Sequence, residues 1–128
     1  MSEKKKVLIV DDNSDILDLF EIFLYKEYEV YTAHNGFDGL TAAQENKPHC
    51  VITDIMMPVM DGIKFITRFH KFEQFQDVPV VAATAFTATM QEEGLRNAGF
   101  SAVISKPIGR QELLDIVGSV IAHSESVQ

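Results

Sequence analysis

The sequence predicts an α/β fold in which five strands form one doubly wound parallel sheet covered by five helices. Two observations lead there. Short runs rich in Val and Ile alternate along the chain with longer segments of helical period, the pattern of repeated βα units. Three of the runs are also apolar on both faces, as strands covered by helices on each side must be.

The runs are Val7 to Val10, Glu29 to Ala33, Cys50 to Thr53, Val80 to Ala83 and Ala102 to Ile104. The second is the most polar and is expected at an edge; the first, third and fourth are expected in the centre. Between the first two, Ile16, Leu19, Phe20, Phe23 and Leu24 follow the spacing of an amphipathic helix, with Asn13 or Ser14 as its N-cap. A second helix is predicted after Gly36, with Phe37, Leu40 and Ala43 inward, and a third from about Gly62 through Phe65, Ile66 and Phe69. The fourth should span roughly Ala88 to Ala98 and stop at Gly99, and the fifth should run from Arg110 through Leu113, Leu114, Val117 and Ile121. The phenylalanines at 65, 69, 72 and 75 match one helix face and its continuation, so they are expected to pack in the core.

At 128 residues, 46% of them hydrophobic and 23% charged, the chain fits one globular domain. Its expected extent is residues 1–123, with 124–128 as a flexible tail or the start of a linker. A formal charge of −8 argues against direct nucleic-acid binding, which needs a surplus of Lys and Arg on some face. The single cysteine, Cys50, lies in an apolar run and is expected to be buried. With no apolar run of membrane length and no secretory pattern at the N-terminus, the expected location is cytoplasmic.

In an open parallel sheet, ligands bind outside the carboxyl ends of the strands. Asp11 and Asp12 follow the first run, Asp54 the third, Thr84 the fourth, and Lys106, after Ser105, the fifth. Three carboxylates gathered at one edge repel one another unless a cation compensates them. An all-oxygen donor set suits a hard ion such as Mg²⁺, with Mn²⁺ as the alternative. A metal, an ammonium and a hydroxyl together are what a transferred phosphoryl group requires, because its transition state spreads negative charge over equatorial oxygens. No Ser-His or Cys-His pair lies at a strand end, which leaves a carboxylate as the covalent acceptor. Asp54, on the central strand, is best placed to be flanked by the others, with Asp11 and Asp12 on the metal.

These residues resemble the receiver domains of bacterial two-component systems over nearly the whole chain. Val7-Leu8-Ile9-Val10-Asp11-Asp12 is similar to that family's first strand and acidic pair, and Asp54 through Gly62 to its phosphorylation loop; Thr84-Ala85 and Lys106-Pro107 match its switch threonine and its lysine-proline pair. The resemblance implies a flavodoxin-like sheet of order 2-1-3-4-5. It implies Mg²⁺ held by Asp11, Asp12, Asp54 and the backbone carbonyl of Met56, phosphoryl contacts from Thr84, Lys106 and the amide of Ala85, and a cis Pro107. It further implies a phosphodonor that is a histidine kinase or phosphotransfer protein, slow self-hydrolysis, and a downstream protein target. Output and any homodimer would use the face of helix four, strand five and helix five. Two positions depart from the pattern: Val103 stands where relatives usually carry a switching Tyr or Phe, and the bulk of Phe86, two residues past the threonine, is expected to slow hydrolysis.

Other readings fare worse. Asp11, Asn13 and Asp15 mimic the start of an EF-hand loop, but Ile16 and Ile22 occupy the positions that need Gly and Glu. His34, His49, His70 and His123 show no ligand spacing. A metal-dependent aspartyl-phosphate hydrolase of small phosphoesters would be expected to carry Asp-x-Asp after the first strand together with a substrate cap. A nucleotide or flavin binder of similar fold needs a phosphate cradle, and no Gly-rich loop follows the first strand.

Overall fold

The computed structural model describes residues 4–85 and 89–126. Its elements run β1 (Lys5–Val10), α1 (Ser14–Leu24), β2 (Tyr28–Ala33), α2 (Gly36–Asn46), β3 (Cys50–Thr53), α3 (Gly62–Phe69), a 3₁₀ turn (Glu73–Phe75), β4 (Val80–Thr84), α4 (Thr89–Asn97), β5 (Ala102–Ser105) and α5 (Arg110–Ser126). The sheet order is β2-β1-β3-β4-β5 and every pairing is parallel. The expected order and the five helices are therefore present.

Strand periodicity divides the core in two. Leu8, Val10, Val51, Val80 and Ala82 point to one face, where Ala43 of α2, Phe65, Ile66 and Phe69 of α3 and Leu95 of α4 cover them. Val7, Ile9, Cys50, Ile52, Val81, Ala83 and Ile104 point to the other, under Leu17, Phe20 and Leu24 of α1 and Leu113, Val117 and Ile121 of α5. Cys50 is buried as expected, and burial pushes its thiol up to about 12.

Helix ends follow local chemistry. The Asn13 side chain accepts the amides of Asp15 and Ile16, Asn35 accepts Asp38, and Asp61 accepts Lys64, each satisfying donors that a helix start leaves open. After α4, Gly99 adopts φ 114°, a conformation few other residues tolerate, and so ends the helix where the sequence predicted. Ala88, where that helix was expected to begin, lies outside the described residues.

Three expectations about helix faces and ends need correction. In α1 the buried positions are Leu17, Phe20 and Leu24, while Leu19 is exposed; Ile16 and Phe23 only flank the contact. In α2, Phe37 turns outward under the Arg68 guanidinium, 5.7 Å above its ring. Gly36 and Gly39 face inward in its place: the helix lies so close to β1 that a Cβ on Gly39 would come within 2.9 Å of Val10. Third, α5 continues through Ser126, beyond residue 123, where a flexible tail was expected to begin. The Ser124 hydroxyl donates to the Asp77 carbonyl at 2.8 Å, and Glu125 meets Lys5 at 2.6 Å.

The phenylalanine series is core, as expected, but it is not one continuous helix. The helix ends at Phe69, and the chain folds back so that Phe75 in the 3₁₀ turn stacks on Phe69 with centroids 4.7 Å apart. Among the described residues no helix is long and apolar enough to cross a membrane.

Candidate functional site

Because all strands are parallel, the carboxyl ends of β1, β3, β4 and β5 share one edge, and short backbone bonds fix the residues that follow them. The Asp11 amide donates to the Ala33 carbonyl (3.1 Å), Asp54 to Val10 (3.0 Å) and Lys106 to Thr84 (2.9 Å). Asp11 is thereby set beside β2, Asp54 beside β1, and Lys106 beside the last residue of β4.

The side chains then converge. Asp11, Asp12 and Asp54 each place a carboxylate oxygen within 4.8 Å of the other two, the one such group of potential metal ligands among the described residues. Lys106 Nζ lies 2.7 Å from Asp11 Oδ2 and 3.5 Å from Asp54 Oδ2. Asp11 is buried, and its other oxygen, Oδ1, accepts the Asn13 amide at 2.9 Å, so both of its oxygens are engaged. Asp12 is exposed. Asp54 is largely buried, and its Oδ1 accepts the Met56 amide at 3.3 Å.

Three carboxylates against one ammonium leave the cluster short of positive charge. Burial is the main cause that holds the Asp54 proton affinity above the ordinary carboxylate value of 3.8; Lys106 pulls it down, the neighbouring Asp11 raises it further, and the amides of Met56 and Ile55 lower it. A hard divalent cation with oxygen ligands corrects such a deficit. A half-screened carboxylate next to bound positive charge is also a competent nucleophile toward an electrophilic phosphorus.

Thr84 is buried at the end of β4, in register with Ser105 of β5, and Ala85 follows it on the surface. Met56, whose amide bonds Asp54, is 61% exposed. The Lys106-Pro107 peptide is cis. Val103 is half-buried and packs on the α2–α3 side of the sheet. Phe86 lies outside the described residues.

No histidine joins the acidic cluster. His49 Nδ1 accepts the Lys6 amide at 3.0 Å and His70 Nε2 lies 3.0 Å from the Val78 carbonyl, both at the opposite edge of the sheet. Asn13 also settles the EF-hand resemblance, because its side chain caps α1. Sequence reasoning missed two supports of the site. One is the Asn13 backbone amide on Asp11, which a polar residue two positions after a strand-end aspartate hints at. The other is Gly62, whose amide donates to the Ile55 carbonyl at 2.9 Å and whose missing side chain lets α3 start against the Asp54 backbone; a Cβ there would lie 2.5 Å from the Asp54 carbonyl oxygen. The only signal for it was a glycine at the first position of a predicted helix.

Comparison with known proteins agrees with this geometry. Residues 7–118 match the family described as the response regulator receiver domain. The polar-differentiation response regulator DivK of Brucella anthropi is 31% identical over 121 residues, which cover 94% of this chain and 98% of the relative. Chemotaxis protein CheY4 of Vibrio cholerae superposes with a TM-score of 0.88 at 29% identity, covering 92% of this chain and 99% of its own. The receiver domain of the sensor histidine kinase PA1611 of Pseudomonas aeruginosa, described with a magnesium ion coordinated in its active-site cleft, superposes with a TM-score of 0.85 at 26% identity, covering 94% and 99%.

Proposed function

The chain belongs to the response regulator receiver family, and we propose that it is a phosphorylation switch whose acceptor is the Asp54 carboxylate and whose donor is a histidine kinase or phosphotransfer protein. Receiver domains of this kind are signalling modules, not metabolic enzymes. The observation that carries the proposal is the meeting of Asp11, Asp12 and Asp54 within 4.8 Å under the Lys106 ammonium.

The donor set fits Mg²⁺, with Mn²⁺ as the alternative, because it consists of oxygens and lacks positive charge. Asp11, Asp12 and Asp54 each have a carboxylate oxygen in the cluster, and these with the Met56 carbonyl would hold the ion. Asp11, bonded at both oxygens by the Asn13 amide and Lys106, would be held in place for that role. When bound, the ion neutralises the cluster and binds phosphoryl oxygens. The magnesium described in the Pseudomonas aeruginosa relative supports this assignment.

In the transfer, an Asp54 oxygen attacks phosphorus as the bond from phosphorus to the donor's imidazole nitrogen breaks, and the imidazole leaves with that electron pair. Lys106, now shared between two carboxylates, turns to a phosphoryl oxygen, and the Thr84 hydroxyl and Ala85 amide take others. The same pocket slowly hydrolyses the acyl phosphate. Output reaches a downstream protein through the face of α4, β5 and α5, which also serves any homodimer. With Val103 in place of the usual aromatic, it relies on backbone movement at residues 84–86. The acidic surface fits a cytoplasmic protein that does not itself bind nucleic acid.

Incubation with acetyl phosphate and Mg²⁺, followed by intact-mass measurement, tests the assignment. The wild type should gain one phosphoryl group and Asp54→Ala none; equal gains would move the acceptor elsewhere. Hydrolysis of small phosphoesters is not the favoured alternative, since the receiver family accounts for residues 7–118.

A further inference from the structure

We infer that Gly36 and Met60 form a clamp that positions the phosphorylation loop, so that the start of α2, a segment without a metal ligand, sets the affinity of the acidic pocket for its cation. The inference rests on the reading of Asp54 and the metal given above. The loop of residues 55–62 leaves β3 and returns to it, closed by the Gly62 amide on the Ile55 carbonyl at 2.9 Å. At its tip Val59 sits at φ 70°, in the left-handed region that β-branched residues avoid, and the Met60 amide reaches back to the Pro58 carbonyl at 2.8 Å in a γ-type turn. The Val59 side chain is 82% exposed, so no packing of its own compensates this strain. The conformation persists because the loop is fixed on either side of the tip.

On one side, Gly62 is pressed against the backbone of Asp54 and Ile55. On the other, the Met60 side chain is 2% exposed and lies on Gly36, where a Cβ would come within 2.5 Å of Sδ and 2.9 Å of Cγ. Gly36 is the first residue of α2, three positions after Ala33, whose carbonyl holds the Asp11 amide. The chain from β2 to α2 therefore bonds the Asp11 backbone and braces the loop that carries Met56. A methyl group at position 36 suits the helix itself, so its effect should reach the site only through Met60.

A double-mutant cycle tests this, with Mg²⁺ titrated calorimetrically into the wild-type chain, Gly36→Ala, Met60→Ala and the double variant. Gly36→Ala should raise the Mg²⁺ Kd about tenfold, as displaced supports of metal ligands do, while still melting cooperatively. In the Met60→Ala background the same change should shift Kd by less than about twofold, because the colliding atoms are gone. A contact that merely stabilised the fold would lower the melting temperature and leave the Kd of the folded protein unchanged, which would overturn the inference; so would equal Gly36→Ala effects in both backgrounds. Should Gly36→Ala lose its cooperative melt, Met60→Ala decides by itself, and an unchanged Kd there overturns the clamp. If wild type binds no Mg²⁺, or Asp54→Asn binds it equally well, the reading of the site fails and the clamp with it. If both of those controls behave as expected, a negative result on position 36 counts against the clamp alone.

Discussion

The two edges of the sheet carry similar residue types but treat them differently. At the edge where the strands begin, polar groups are satisfied by near neighbours: Lys5 meets Glu125, Ser124 donates to Asp77, and the His49 ring accepts the Lys6 amide. At the edge where they end, three carboxylates meet and one ammonium pairs with two of them, Asp11 and Asp54, both buried. The first arrangement is complete within the fold, whereas the second is short of charge that only something from outside can supply. Chemistry belongs where the fold leaves such a deficit.

The widest separation between the edges should come from their lysines. Lys106→Met strands Asp11 at 2% exposure beside two other carboxylates, and breaking a buried pair in this way is expected to lower the unfolding free energy by about 2–4 kcal/mol in urea without Mg²⁺. Adding Mg²⁺ should recover much of that loss. Lys5→Met breaks a bridge whose partners are both about half exposed, so a loss above about 1 kcal/mol there would contradict the contrast.

The pH dependence sharpens it. Folding raises the proton affinity of Asp54, so the stability this group contributes is present below pH 3.8 and lost as pH rises through its higher folded value. In EDTA, Asp54→Asn should therefore gain on wild type as pH rises above 3.8, by a small margin because water still screens the carboxylate. Mg²⁺ should abolish the difference. A gap that does not change with pH would show that Asp54 carries no such strain.

The smallest effect is expected at the opposite edge and with the opposite sign. Burial, and then the neighbouring Lys5, lower the proton affinity of His49 below its usual 6.5, and only the neutral ring accepts the Lys6 amide. Its contribution is present above pH 6.5 and lost as pH falls. His49→Gln should flatten the fall in thermal stability as pH drops below 6.5, and a slope equal to wild type would remove His49 from the account.

Much of this was legible in the residues. The Val- and Ile-rich runs marked the strands because a buried parallel strand needs apolar side chains on both faces. Asn13 and Gly99 marked helix ends because capping and left-handed backbone are local matters. The polar residues after four strands marked the site because parallel order sends every strand end to one edge. Which face of α1 is buried was not legible: Leu17 and Leu19 are equally apolar, and only the seat of the helix between β2 and α5 turns one inward and the other outward.

The sequence by itself therefore determined the order of strands and helices along the chain, the helix ends at Asn13 and Gly99, and which polar residues follow the strands, Asp11, Asp12, Asp54, Thr84 and Lys106, since each depends on neighbours a few residues away. Only the tertiary structure decided that Lys106 bonds Asp11 across 95 positions, that Phe75 stacks on Phe69 outside any common helix, and that Met60 rests on Gly36. Those contacts join segments far apart in the chain, and their geometry is set by how whole elements pack, which no local pattern encodes.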